Sequence, residues 1–164
     1  MPREPRLNLF QSLGPHGFHQ VAYTEWGNPN ARHLVVCVHG LTRNSRDFDE
    51  LAADLAEWGC RVACMDVVGR GDSDWLEHKE DYGFALYLSD AAALLARLTA
   101  QSGRLSLLRR MQGESGELKI DWVGTSMGGL IGMMLAGKPR SPIRRLVLND
   151  VGPLVPWMNS SLRV

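Results

Sequence analysis

The arrangement in this chain best suited to covalent chemistry is Gly124-Thr-Ser126-Met-Gly128, followed by Gly129. The serine stands directly after the apolar run Ile120-Asp-Trp-Val123 and directly before a segment with helical character. A G-x-S-x-G turn between strand and helix is so sharp that its serine takes strained backbone angles. Glycines two before and two after it remove side chains that would collide. The strain aims the hydroxyl out of the turn, and the helix N-terminus behind it favours developing negative charge. Ser126 is therefore a candidate nucleophile, set against the plainer reading of a tight turn with an idle serine.

A serine that attacks an acyl carbon needs two backbone N–H groups aimed at the oxyanion. One is the N–H of Met127, next after the nucleophile. The other is expected from the loop after an upstream strand, where Val38-His39-Gly40-Leu41 offers the N–H of Leu41. Gly40 lets that loop approach a substrate closely. A lone His-Gly pair says little; ahead of a nucleophile turn it corroborates.

The elements that must position these groups are legible as four apolar runs with β-branched enrichment. They are Leu34–His39, Arg61–Met65, Leu118–Val123 and Arg145–Asn149. The first and last barely alternate in polarity, which suits strands buried on both faces of a parallel sheet. Phe18–Glu25 alternates better and predicts an antiparallel strand near an edge. Between the runs, Phe48, Leu51, Ala52, Leu55 and Ala56 recur at helical spacing, with Asp47, Asp49 and Glu50 near the favourable start. Tyr87, Ala91, Leu94, Leu95 and Leu98 form a second stripe, and a third helix runs from just after Ser126 to near Gly137, with Pro139 beyond. From Thr99 to Glu117 the chain turns polar and reads as an extended helix end and a surface loop. Strands alternating with helices give an α/β fold, a mostly parallel sheet with helices on both faces.

Composition narrows the function classes. Of 164 residues, 45% are apolar and 22% charged, as in an ordinary globular domain, and 18 basic residues balance 18 acidic ones. That balance gives no charge-based case for nucleic acid or an anionic membrane as partner. Met1–Arg6 lacks the apolar run of a secretory signal. The uncharged stretch Trp122–Gly137 is too short and too rich in glycine to span a bilayer. Three cysteines, Cys37, Cys60 and Cys64, form no disulfide framework and point to a reducing compartment, hence a cytoplasmic location. No histidine or further cysteine completes a metal ligand set with Cys60 and Cys64.

At these residues the sequence resembles the α/β-hydrolase superfamily, as a serine esterase-like member. Asp66-Val-Val-Gly69-Arg-Gly71-Asp-Ser73 resembles the D-x-x-G-x-G-x-S turn after the family's fourth strand. Ser126-Met-Gly-Gly resembles the start of its third helix, and Leu146–Pro153 the end of its sixth strand. The likeness covers about residues 18 to 155. It implies the α/β-hydrolase fold, a small-molecule acyl substrate, and no metal or organic cofactor. It also implies that His39 and Gly40 support the oxyanion loop while Gly124 and Gly128 support the elbow. By contrast, Gly69-x-Gly71-x-x-Asp74 lacks the third glycine of a dinucleotide-binding turn.

Asp150 follows the run Arg145–Asn149, so it should stand at the carboxyl edge of the sheet beside the elbow. In some relatives the triad acid comes from this strand and in many from the next. Asp150 is thus a candidate orienter for a histidine, or else a polar residue that ends the strand and holds the Gly152-Pro153 turn. In the family the order is serine, acid, histidine, yet no histidine follows Ser126. The five present are His16, His19, His33, His39 and His78, and the resemblance places the general base after the last strand, beyond Val164.

The expected organisation is an N-terminal part of a hydrolase core over 1–152 and the start of a cap region over 153–164, cut short before the cap and the last strands. Arg145–Asn149 would then be an exposed apolar edge through which the chain could self-associate. The function implied is hydrolysis of a carboxylic ester or related small acyl compound. The alternative is an inert fragment or a non-catalytic binding protein on the same scaffold. A dehalogenase or epoxide hydrolase of this fold would need aspartate where Ser126 stands.

Overall fold

The computed structural model describes residues 4–111 and 116–152. The chain forms six strands, β1 (Arg6–Gly14), β2 (Gly17–Gly27), β3 (His33–Val38), β4 (Arg61–Met65), β5 (Lys119–Thr125) and β6 (Ile143–Asn149). Three helices join them: α1 (Asp49–Glu57), α2 (Phe84–Met111) and α3 (Met127–Ala136). All six strands lie in one sheet in the order β1-β2-β4-β3-β5-β6. β1 and β2 form an antiparallel hairpin, β2 meets β4 antiparallel, and β4, β3, β5 and β6 run parallel. This is the mostly parallel, helix-covered sheet that the alternation of runs predicts.

The central strands are buried on both faces, and their alternate residues feed two cores. Val36 and Val38 of β3 with Ala63 and Met65 of β4 face α2 and α3, where Leu94, Leu98, Trp122 and Ile131 close the larger core. Val35, Cys37, Val62 and Cys64 face the other way, against Phe48, Ala52 and Ala56 beside α1. Each such aliphatic side chain taken fully out of water stabilises the fold by roughly 1.5–3 kcal/mol. The predicted stripe Tyr87, Ala91, Leu94, Leu95 and Leu98 is buried throughout. On α1 the buried stripe is narrower than predicted, because Leu51 is exposed. A 3-10 turn, Ser45–Phe48, leads into that helix, its Asn44 side chain accepting from the Arg46 N–H.

Two features add to the sequence reading. The antiparallel strand expected near an edge is β2, second from it, and a strand not expected, β1, takes the edge itself. Leu7, Leu9 and Leu13 of β1 point to solvent while Phe10 and Ser12 are buried. The second is where the expected extended helix end stops: α2 runs through Gly103 to Met111. Of the stretch read as a surface loop, residues 112–115 lie outside the described residues, as do 153–164, where the cap region was expected to begin.

The strand order changes direction at β3: β4 lies on one side of it and β5 and β6 on the other. In open α/β sheets a crevice forms beyond the carboxyl ends of the strands at such a switch. Here the strands flanking it are β3, which ends before His39-Gly40-Leu41, and β5, which ends before Ser126.

Candidate active site

Ser126 has φ 48° and ψ −111°, angles a non-glycine residue adopts only under constraint. The constraint is visible in the hydrogen bonds around it. The Ser126 N–H donates to Asn149 O at 2.8 Å, tying the elbow to the end of β6. The N–H groups of Gly129 and Leu130 donate to Ser126 O at 2.9 and 3.1 Å, closing the first turn of α3. The Gly128 N–H reaches back to His39 O at 3.1 Å. A side chain at Gly128 would collide with Val38 O, and one at Gly124 with the Gly128 backbone. Gly128 thus lets the elbow press against the end of β3, and Gly124 lets the end of β5 press against the start of α3, two approaches that only glycine permits.

That wedge brings the two predicted loops together. A methyl group on Gly40 would stand 3.7 Å from Ser126 Cβ, so the loop after β3 passes beside Ser126. Among the described residues neither the Leu41 N–H nor the Met127 N–H donates to a protein acceptor. Both thus remain available to an incoming oxygen.

His39 is fully buried. The Val67 N–H donates to its Nε2 at 3.0 Å, so Nε2 is the acceptor nitrogen. Its Nδ1 must then carry the proton, which it donates to Gly40 O at 2.7 Å. That carbonyl belongs to the same peptide as the Leu41 N–H, and in a trans peptide the two point in opposite directions. Holding the Gly40 oxygen therefore aims the Leu41 N–H away from His39. Burial lowers the His39 pKa, outweighing the Gly40 contact and the Asp66 charge that raise it, so the ring stays neutral with no free lone pair.

The turn beneath is fixed by Asp66. Its carboxylate accepts from the Ser45 N–H at 2.6 Å and the Asp72 N–H at 3.0 Å, and the Ser73 hydroxyl donates to its carbonyl at 2.6 Å. A side chain on Gly71 (φ 54°) would overlap that carboxylate. Arg70, in the same turn, donates from Nε to Leu41 O at 3.0 Å. Sequence reasoning matched this turn by its pattern and missed the arginine; its place within the turn was the available signal.

Asp150 is exposed, has φ 57°, and follows β6, whose last residue receives the Ser126 N–H. No histidine pairs with it. All five are engaged elsewhere: His16 with Asp81 at 2.7 Å, His19 with Asp90 at 3.0 Å, and His33 with Asp121 at 2.8 Å. His78 lies 3.6 Å from Glu80 and stacks on His16, and His39 bonds backbone on both nitrogens. His33 also brings Nδ1 to 3.5 Å from Cys60 Sγ, a neighbour that the sequence did not reveal. Even so, no group of three or more metal-binding side chains assembles among the described residues. Cys37 and Cys64 are free, buried and directly opposite one another across β3 and β4. Among the described residues no helix is long and apolar enough to cross a membrane.

A mostly parallel sheet between helices, with a strained serine at the strand-to-helix elbow beside its switch point, is the architecture of an α/β hydrolase. Residues 29–161 match the serine aminopeptidase S33 family, and the chain belongs to it. It is 48% identical over 153 residues to the 3-hydroxybutyrate-oligomer hydrolase of Cupriavidus necator, covering 93% of this chain and 46% of that protein. Among solved structures it is similar to an α/β hydrolase from Novosphingobium aromaticivorans, with a TM-score of 0.70 and 35% identity over 92% of this chain and 45% of that one. An epoxide hydrolase from Mycobacterium thermoresistibile matches with a TM-score of 0.72 at 19% identity, over 95% of this chain and 42% of the other, and shares the fold alone. The chain spans less than half the length of each of these relatives.

Proposed function

We propose that the protein to which this chain belongs is a serine hydrolase of carboxylic esters, with short hydroxy-acid esters as its substrate class. Ser126 attacks the ester carbonyl, the Leu41 and Met127 N–H groups take up the oxyanion, and His39 orients the first of these through Gly40. The observation that carries this reading is the strained serine set beside two N–H groups without protein acceptors. The oxyanion contacts supply much of the rate, since removing one such donor in a serine hydrolase costs about 10²–10³ in kcat. The likeness to a 3-hydroxybutyrate-oligomer hydrolase supports the choice of substrate.

A serine hydroxyl needs a base at neutral pH. Because all five histidines of this chain are engaged away from Ser126, the reading requires a histidine from outside these 164 residues, oriented by Asp150 or by a later acid. It treats 1–152 as the front of the hydrolase core and 153–164 as the entry to a cap. No metal or organic cofactor is needed. The same shortage of a base supports a second reading, a non-catalytic binding protein on this scaffold.

Labelling with a fluorophosphonate probe separates the two. The protein expressed from its complete gene should label at one site by intact mass, and Ser126→Ala should abolish the label. A folded protein that takes no label would sink the hydrolase reading and leave the binding one.

A further inference from the structure

Arg70 is held more firmly than its role in a turn requires. Besides the bond to Leu41 O, its Nη1 donates to Val68 O at 2.9 Å and to the Tyr87 hydroxyl at 3.1 Å, and the guanidinium lies 5.3 Å from the Tyr87 ring centre. Three directed contacts and a ring fix the plane of the group, yet none of them supplies negative charge. The acids nearby are otherwise occupied: Asp66 takes two backbone N–H groups, and Asp47 is paired with Arg43 at 2.7 Å. Among the described residues no carboxylate lies within salt-bridge distance of Arg70, and its bonds run from Nε and Nη1 alone. A half-buried cation normally finds an acid in its own fold.

Arg70 lines a cleft of about 420 Å³ together with Leu41, Thr42, Trp75, Tyr82 and Arg43, the last already paired with Asp47. Trp75 is 76% exposed, although it is the largest apolar side chain there. The cleft thus includes the residue after Gly40, a position where an added methyl would stand 3.7 Å from Ser126 Cβ, and combines a guanidinium with an aromatic wall.

We propose that this cleft is a subsite for a free carboxylate carried by the ester substrate, with Arg70 Nη2 as its anchor and Trp75 covering the apolar atoms between acid and ester. This rests on the hydrolase reading and deepens it: the substrate is an ester of a hydroxy acid recognised by its terminal acid group. A guanidinium fixed in plane suits a planar carboxylate, and the charge-assisted bond is strong enough to sort acids from neutral esters.

The test compares the linear dimer of 3-hydroxybutyrate with its methyl ester, which lacks the free acid, on the protein expressed from its complete gene. The wild type should favour the free acid by about tenfold or more in kcat/KM, mostly through KM. Arg70→Gln should erase that preference, and Arg70→Lys should keep part of it. Equal rates on both substrates in the wild type would overturn the subsite. So would a preference that survives in Arg70→Gln, or an equal slowing of both substrates, which would mean that Arg70 only holds Leu41. Binding of 3-hydroxybutyrate to the Ser126→Ala protein, read by calorimetry, tests the subsite without turnover. It should be lost in the Ser126→Ala, Arg70→Gln double variant, even if probe labelling shows that the serine reading is wrong. No binding to Ser126→Ala would overturn the proposal while labelling of the wild type left the hydrolase reading intact.

Discussion

At the scale of single residues, both ring nitrogens of His39 are spent on backbone. His39 accepts from the Val67 N–H and donates to Gly40 O, so replacing it leaves two buried backbone groups without partners. His39→Ala should lower stability by about 1–3 kcal/mol for each orphaned group. It should also lower kcat by about 10²–10³ with little change in KM, because the Leu41 N–H loses its aim. Esterase kinetics beside denaturant unfolding would check both. The pH dependence has a definite sign. Folding lowers the His39 pKa from 6.5, so below that value the unfolded chain binds a proton that the folded chain refuses. The contribution is whole above about pH 6.5 and is lost as pH falls toward the lower folded value. The unfolding midpoint should therefore drop with acid across that window, and less steeply in a His39→Asn variant.

At the scale of elements, the carboxyl and amino ends of the sheet do different jobs. At the amino end, Asp121 of β5 accepts from Arg144 of β6 at 2.7 and 3.0 Å and pairs with His33 of β3. Burial pushes its carboxyl up, but Arg144 and His33 outweigh it and hold it below the ordinary value. One carboxylate thus links three parallel strands, about 16 Å from Ser126 at the strand rise of roughly 3.3 Å per residue. Asp121→Asn should lower Tm by a few degrees and leave kcat and KM for a neutral ester unchanged; a large loss of activity would contradict this separation. The sequence made the central strands legible because they are buried on both faces and so read as unbroken apolar runs. It hid β1 because its leucines face outward, and it hid the Asp121 link because His33 and Asp121 lie 88 positions apart. The elbow was readable because its glycines are local requirements. The contacts of Arg70 were not, since they run to Leu41 and Tyr87, which lie 29 and 17 positions away.

At the scale of the whole molecule, the two faces of the sheet are unequally covered. α1 packs against β2 and β4, and among the described residues nothing covers β6 on that side, where Val147 is 52% exposed beside the half-buried Val123. With 18 positive and 18 negative charges the chain has little net repulsion to keep copies apart. The 164-residue chain produced by itself should therefore self-associate, and Val147→Lys should shift it toward monomer in sedimentation velocity. A monodisperse monomer at high concentration would refute this.

The backbone angles of Ser126 also have a bearing on ancestry. A serine at φ 48° is a standing cost of about 1–3 kcal/mol that glycine, at home in that region, would largely escape. A lineage released from the need for a nucleophile would find glycine at 126 an exchange favoured by stability alone. The residue at this one position therefore works as a drift marker. Across descendants of this gene, serine should be lost there sooner than any buried side chain once the reaction ceases to matter.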